Sequence, residues 1–457
     1  MNTLSDLILS EPPAASTPLI LIQADEFDTW QSTLPEGDQT WLARQSFTAL
    51  PGQTAWLEQG GVARVFCGYS GKSDLATLGH LPLSLPEGDY YLESPVSETQ
   101  ILGWALGAYQ FTRYKAARRD PARLYADLDV SALNSVRHTA DAVALGRDLI
   151  NTPAEDMKPS DLSAEVTRMA QRFDADIKVI AGDELLDIGA RTIHTVGRAA
   201  EDPPLLADMS WGNPDHPRVT LVGKGVTFDS GGLDIKPSAA MRQMKKDMGG
   251  AAIAIGLAQL IMATGLPVRL RLLIPAAENA IAGNAFRPGD VITTYKGLTV
   301  EIDNTDAEGR LLLCDALAMA CEEDPELIID FATLTGAARV AVGTEISAMF
   351  STSDEAASAI YSHGEDADDA VWRMPIHDSY SYMMKSNIAD VVNSAASGLA
   401  GATTAALFLQ KFVGDTDWVH FDTMAFNTRS RPARPEGGEP MSLRAVYHYL
   451  AQRYRAV

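Results

Sequence analysis

From about Ile177 onward the chain repeats one pattern: a short apolar strand, a glycine- and charge-rich loop, then a helical stretch. The segments IKVIA (177–181), RVTLVG (218–223), RLRLLIPA (269–276), LTVEID (298–303) and ELIIDFATL (326–334) are short, apolar and β-rich. Helical stretches separate several of them, which predicts an α/β domain with a mixed, largely parallel sheet sandwiched between helices. Ligands on such sheets bind beyond the carboxyl ends of the strands, and the polar clusters of this chain fall there. The stretch AAIAIGLAQLIMATGLPV (251–268) approaches membrane-spanning length, but Gln259, Thr264, two glycines and Pro267 interrupt it. It is expected to be a buried helix feeding the strand RLRLLIPA.

At 457 residues the chain exceeds one simple core, and two domains are expected. Residues 1–128 read as a separate, small α/β domain, with strands in PLILIQ (18–23) and GVARVFCGY (61–69) and a helix in LESPVSETQILGWALGAYQFTRYKAA (92–117). Its polar residues show no spacing that suggests chemistry. Residues 129–457 hold a linker helix (about 131–150), stopped by Asn151-Thr152-Pro153, then a helix over 161–173 and the strand–loop–helix region. The net charge of -23 repels phosphate backbones and anionic lipid, which argues against nucleic acid and membrane surfaces as partners. Of three cysteines, Cys314 and Cys321 stand about 10 Å apart along one predicted helix and cannot bridge. With an N-terminal stretch that lacks a basic segment, this predicts a cytoplasmic protein.

Three clusters combine charge with glycine at strand-to-loop boundaries. The first is Lys224-Gly225-Val226-Thr227-Phe228-Asp229-Ser230-Gly231-Gly232 with Lys236. The second is Lys245-Lys246-Asp247-Met248-Gly249-Gly250, and the third Asn304-Thr305-Asp306-Ala307-Glu308-Gly309-Arg310. Neither phosphate-binding loop spacing nor a dinucleotide G-x-G-x-x-G occurs in them. In an extended loop Asp306, Glu308 and Arg310 share one side. Carboxylates that close in a partly buried loop raise each other's pKa unless a cation neutralises them. Hard divalent cations take such oxygen donors, and zinc accepts them too. Taken singly, each acid reads as a turn or helix-start residue and each lysine as a surface lysine; together and in order they suggest a two-metal site about 3–4 Å across. His420 and Asp422 lie two apart in an apolar strand and read as structural hydrogen-bonding partners.

In this order the clusters resemble the leucine aminopeptidase (cytosol aminopeptidase) family of dinuclear metallopeptidases. The resemblance runs from about Asn151 to the C-terminus, through VGKGVTFDSGG, IKPS, KKDMGGAA, NTDAEGRL and ATLTGAA, and more loosely KSNIADVVNSA (385–395). It implies that Asp229 and Glu308 bridge two divalent cations, zinc or manganese, with Asp306 completing one site and Asp247 and the Lys224 amine the other. It further implies that Lys236 stabilises the oxyanion, that Arg310 holds a bicarbonate acting as general base, and that Met244, Thr333 and Gly336 form the pocket for the first side chain. The implied activity is release of N-terminal residues, leucine or other apolar ones, from peptides with a free N-terminus, by a homohexamer. After Glu278-Asn279 the family often continues Met-Pro, where this chain has Ala280-Ile281. Competing readings are a dinuclear phosphohydrolase or amidohydrolase, and an inactive scaffold. The first does not account for a lysine among the carboxylates, and the second is at odds with a complete donor set.

Overall fold

The computed structural model describes residues 4–59 and 61–455. The chain divides into two compact units, Met1–Ala144 with Arg429–Glu436, and Leu145–Thr428 with Gly437–Val457. The division falls inside one long helix, Val130–Asn151.

The first unit carries a six-stranded sheet of β1 (Ile8–Leu9), β2 (Thr17–Gln23), β3 (Thr54–Gln59), β4 (Val62–Tyr69), β5 (Asp89–Leu92) and β6 (Arg123–Tyr125), in the order β1-β6-β5-β2-β4-β3. Only the β3–β4 edge pair is antiparallel. The helix expected over 92–117 is shorter. It spans Glu98–Gly107, started by a capping box of Ser97 and Gln100. Upstream, Leu92 belongs to β5. Beyond Gly107 the run Thr112–Arg119 offers no apolar face to bury, so nothing sustains the helix.

The second unit is built on nine strands. In chain order they are β7 (Asp176–Ala181), β8 (Leu205–Trp211), β9 (Arg218–Gly223), β10 (Gly225–Asp229) and β11 (Arg269–Asn279), followed by β14 (Leu327–Ala332), β15 (Ser347–Ser351), β16 (Val371–Arg373) and β18 (Trp418–Asp422). Numbers 12, 13 and 17 belong to a separate small sheet of β12 (Val291–Thr293), β13 (Thr299–Glu301) and β17 (Val391–Val392). The large sheet runs β16-β15-β18-β14-β9-β11-β8-β7, with β10 added to the end of β11. Its centre, β18-β14-β9-β11, is parallel, and antiparallel pairs flank it.

Helices cover both faces. Val222, Leu273 and Ile328 join one apolar cluster with the helices Gly309–Ala320 and Gly401–Val413. By strand alternation the intervening residues face the other way, and the helix Gly249–Ala263 also packs on β9 and β14. The segment Met244–Ala263 is apolar and long enough to cross a membrane by composition, yet 94% of its most apolar window is buried within the protein. It is a core helix.

LTVEID departs from its expected place. Its strand, β13, pairs with β12 and β17 instead of joining the large sheet. Its burial explains why: Val300 is buried while Thr299 and Glu301 are half-exposed. A strand of the central sheet is covered on both faces, whereas this one is covered on one.

Candidate metal centre

The first cluster runs from the carboxyl end of β9 through that of β10, and the third follows that of β13. The second lies not at a strand end but in the turn Met244–Met248 that leads into the helix Gly249–Ala263. β10 pairs with β11 through a bulge between Val226 and Phe228, which sets Asp229 opposite Asn279. Asp229 Oδ1 accepts hydrogen bonds from Gly231 N (2.8 Å) and Asn279 Nδ2 (2.9 Å). Gly231 and Gly232 follow with φ of +88° and +62°, the left-handed region that glycine enters without strain. They turn the chain back, so that Lys236 N bonds Ser230 O at 3.0 Å. Lys236 Nζ thereby lies 2.7 Å from Asp229 Oδ2 and against Asp306 Oδ1.

Lys224 sits between β9 and β10, buried. Its Nζ lies 2.7 Å from Asp247 Oδ2 and 3.1 Å from Glu308 Oε1, and it donates to Thr333 O at 3.1 Å. A Cβ on Gly309 would stand 2.4 Å from Lys224 Cε, so glycine at that position is what admits the lysine. Asp247 is buried too, and does not project into solvent beside Lys245 and Lys246. Lys246 is itself buried, and Lys245 Nζ donates to Asn151 O at 2.6 Å. The Thr333 hydroxyl donates to Asp247 Oδ1 (2.8 Å) and lies 2.9 Å from Asp247 O.

Carboxylate oxygens of Asp229, Asp306 and Glu308 all lie within 4.8 Å of one another. The third cluster reaches this arrangement differently from the extended loop expected. Glu308 is already α-helical (φ −73°, ψ −34°) and precedes the helix Gly309–Ala320, so Arg310 lies in its first turn. Thr305 locks the loop: its N donates to Asp234 Oδ2 at 2.8 Å and its hydroxyl to Gly231 O at 2.7 Å.

The electrostatics are those of an anionic centre held together by cations. Burial, and then the charge of Asp229, push the Glu308 carboxyl up to about 8. The same two causes raise Asp306 to about 6, against the pull of Lys236. Burial acts to raise Asp247 as well, but Lys224 and Lys246 outweigh it and hold Asp247 below the usual range. Burial disfavours the Lys224 and Lys236 charges. Asp247, Glu308 and Asp229 outweigh it for Lys224, and chiefly Asp229 and Glu308 for Lys236, so both ammonium groups are held above the ordinary lysine value. Burial brings Arg310 down to about 10.

This donor set fits divalent cations. Three carboxylates converge, and Glu308 Oε2 is buried with no hydrogen-bond partner. An orphaned buried carboxylate oxygen is costly unless a cation or proton satisfies it. Hard cations take such oxygens.

Arg310 is buried beside this centre, its Nη1 donating to Asn393 O at 2.8 Å and its Nε without a partner. Of the three expected pocket residues, Thr333 is buried, Met244 is half-buried at the start of the turn Met244–Met248, and Gly336 is exposed as the first residue of the helix Gly336–Val342. His420 and Asp422 are structural. His420 Nδ1 pairs with Asp330 Oδ1 at 2.6 Å, and Asp422 accepts from Leu334 N, Thr335 N and the Thr335 hydroxyl. Four residues of the site escape the sequence reading: Asn279, Asp234, Thr305 and Asn393. Thr305 lies inside a recognised motif. Asn393 lies in the loosely matched KSNIADVVNSA and Asn279 in the Glu278-Asn279 pair, but neither is assigned a role from the sequence, and nothing there marks Asp234.

The fold thus gathers carboxylates and lysines into one cluster whose donors suit divalent cations. The catalytic-domain description of the cytosol aminopeptidase family matches residues 144–447, and that of the M17 aminopeptidase N-terminal domain matches residues 17–126. The second match extends the likeness to the N-terminal region, where the sequence motifs were weak. A probable cytosol aminopeptidase of Geobacter sp. (strain M21) is 38% identical over 373 residues, covering 78% of this chain and 76% of the relative. The crystal structure of cytosol aminopeptidase from Coxiella burnetii superposes with a TM-score of 0.94 at 46% identity, covering 98% of this chain and all of the other. The bottromycin maturation enzyme BotP in complex with Mn superposes with a TM-score of 0.86 at 30% identity, covering 96% and 100%. The chain belongs to the cytosol aminopeptidase family and is a metal-dependent aminopeptidase.

Proposed function

We propose that this enzyme holds two divalent cations, zinc or manganese, and removes apolar residues, leucine foremost, from peptides with a free N-terminus. The observation that carries this reading is the interleaving of two lysines with four carboxylates: Lys224 with Asp247 and Glu308, Lys236 with Asp229 and Asp306. A phosphohydrolase has no evident use for an amine donor inside the carboxylate cluster. Asp229, Glu308, Asp306, Asp247 and the Lys224 amine would hold the cations. When bound, the cations supply Lewis acidity toward the scissile carbonyl and toward the attacking water.

The side chains do the rest. Lys224 would serve as a donor only after losing its proton to solvent, a loss that the charge of a bound cation would favour. Lys236 then turns its ammonium, steadied by Asp229 and Asp306, toward the oxygen that becomes negative as the carbonyl is attacked. Arg310, whose Nε has no hydrogen-bond partner, would hold a bicarbonate, which would supply a general base for the water proton. Met244, Gly336 and the methyl of Thr333 enclose the first side chain; the Thr333 hydroxyl is occupied by Asp247. The working form is a homohexamer in the cytoplasm.

The direct test is release of leucine from Leu-Gly-Gly and from its N-acetylated form, after chelation and reloading with Mn²⁺ or Zn²⁺. Metal-restored cleavage of the free-amine peptide alone is expected. Cleavage of both would remove the α-amine from its role, and cleavage of neither would refute the substrate class. Lys236→Ala is expected to lower kcat by about 10²–10³-fold, the size seen when one oxyanion donor is deleted, while bound metal stays at two equivalents. Loss of metal from this variant would instead make Lys236 part of the metal-holding scaffold.

A further inference from the structure

We propose that Asn393 is a positioning residue for the metal centre, setting the Asp306–Glu308 loop and the Arg310 guanidinium in one register. The inference rests on the reading of Asp306 and Glu308 as metal donors.

Asn393 is fully buried and directly follows β17, the strand that pairs in parallel with β13. Its backbone N extends that ladder by bonding Glu301 O at 2.9 Å. Its side chain then crosses to the segment leaving β13. Oδ1 accepts from Asp303 N (2.8 Å) and Asn304 N (3.2 Å), while Nδ2 donates to Asn304 O (2.7 Å) and Ala307 O (3.3 Å). One carboxamide thus satisfies two donors and two acceptors of the backbone that carries Asp306 and precedes Glu308. Its own carbonyl receives Arg310 Nη1 at 2.8 Å.

The chemistry admits few substitutes. The loop presents N–H groups on one side and C=O groups on the other, so only a group with an acceptor and a two-proton donor in one plane meets all four. A carboxylate would face two carbonyls with lone pairs, and a hydroxyl is too short to span them. Among the described residues, no other side chain bonds the loop backbone before Glu308 while its main chain bonds Arg310. Asn279 and Asp234 hold the same centre from the large sheet. Asn279 Nδ2 donates to Thr305 O at 3.1 Å and Asp234 Oδ2 accepts from Thr305 N. Asn393 is the counterpart from the small sheet, 86 to 90 residues beyond the loop groups it bonds.

Groups that orient metal ligands typically change metal affinity by about 10–100-fold when removed. The test measures Mn²⁺ binding to the full-length apo-protein by calorimetry and by retained metal after dialysis, for wild type, Asn393→Asp, Asn393→Ser, Glu308→Gln and Ile360→Ala. Ile360 is a buried apolar residue on the remote helix Asp354–Asp366, and serves as a control for plain destabilisation. Both Asn393 variants are expected to bind Mn²⁺ at least about tenfold more weakly than wild type, while Ile360→Ala, at a comparable or lower apo melting temperature, keeps wild-type affinity. Should Asn393→Asp fail to fold, Asn393→Ser carries the measurement. Affinity within twofold of wild type in a folded Asn393 variant, beside a clear loss in Glu308→Gln, overturns the positioning role and leaves the donor assignment standing. Wild-type affinity in Glu308→Gln overturns both.

Discussion

Glu308→Ala is expected to leave the protein folded, strip it of metal on dialysis, and lower kcat/KM by about 10³-fold or more. The reason lies in the geometry. Glu308 offers one oxygen to Lys224 and a second, buried one to nothing else in the protein. It is the only member of the three-carboxylate cluster that is both fully buried and held above neutral pH by burial and Asp229. Burial and Asp229 disfavour its charge and a bound cation would favour it, so metal binding is linked to the ionisation of Glu308. Lewis-acid stabilisation is worth several kcal/mol, and about 4 kcal/mol is about three decades in rate. Metal analysis after dialysis, alongside peptide kinetics, is the check. Two retained equivalents would refute Glu308 as a donor.

The largest effect expected away from the centre concerns Glu439. Its Oε2 accepts from Arg147 Nε (3.1 Å) and Nη2 (2.9 Å) and from Asn427 Nδ2 (2.9 Å), and Arg444 Nη1 lies 4.0 Å from Oε1. Arg147 and Arg444 are both buried. Glu439→Ala takes the carboxylate away from two buried guanidinium groups, a change that costs about 3–5 kcal/mol when one partner of a buried pair is deleted. Urea unfolding would read it as a lower midpoint with an unchanged slope. A loss below about 1 kcal/mol would mean that the arginines' other hydrogen bonds and admitted water compensate.

What the sequence discloses here follows from how local each signal is. The central strands declare themselves because both their faces are buried, so RVTLVG and RLRLLIPA are continuous apolar runs. Asp229, Asp247, Asp306 and Glu308 stand out because each sits within a few residues of an apolar strand or of the helix after it, but it is the resemblance to the family that proposes them as metal donors. LTVEID looks like its neighbours over six residues, but its partners are the two-residue β17 and the three-residue β12, too short to be recognised by pattern. Asn279 and Asn393 are invisible for a related reason. Their value comes from backbone groups 26 to 90 residues away, and an isolated asparagine beside an apolar strand carries no mark of that. The helix over 92–117 is overextended at both ends, because Leu92 belongs to β5 and the charged run Thr112–Arg119 has no apolar face to bury.

The small sheet has a consequence for how the enzyme comes into being. Every carboxylate and lysine of the centre lies between Lys224 and Glu308, yet β13, from which the Asp306–Glu308 loop departs, takes its parallel partner from residues 391–392, and β14 of the large sheet takes one from residues 418–422. A chain still emerging from the ribosome therefore exposes its whole donor set well before the strands that order it exist. The sheet that carries the Asp306–Glu308 loop closes only once residues 391–392 have been made, and the large sheet only once residues 418–422 have.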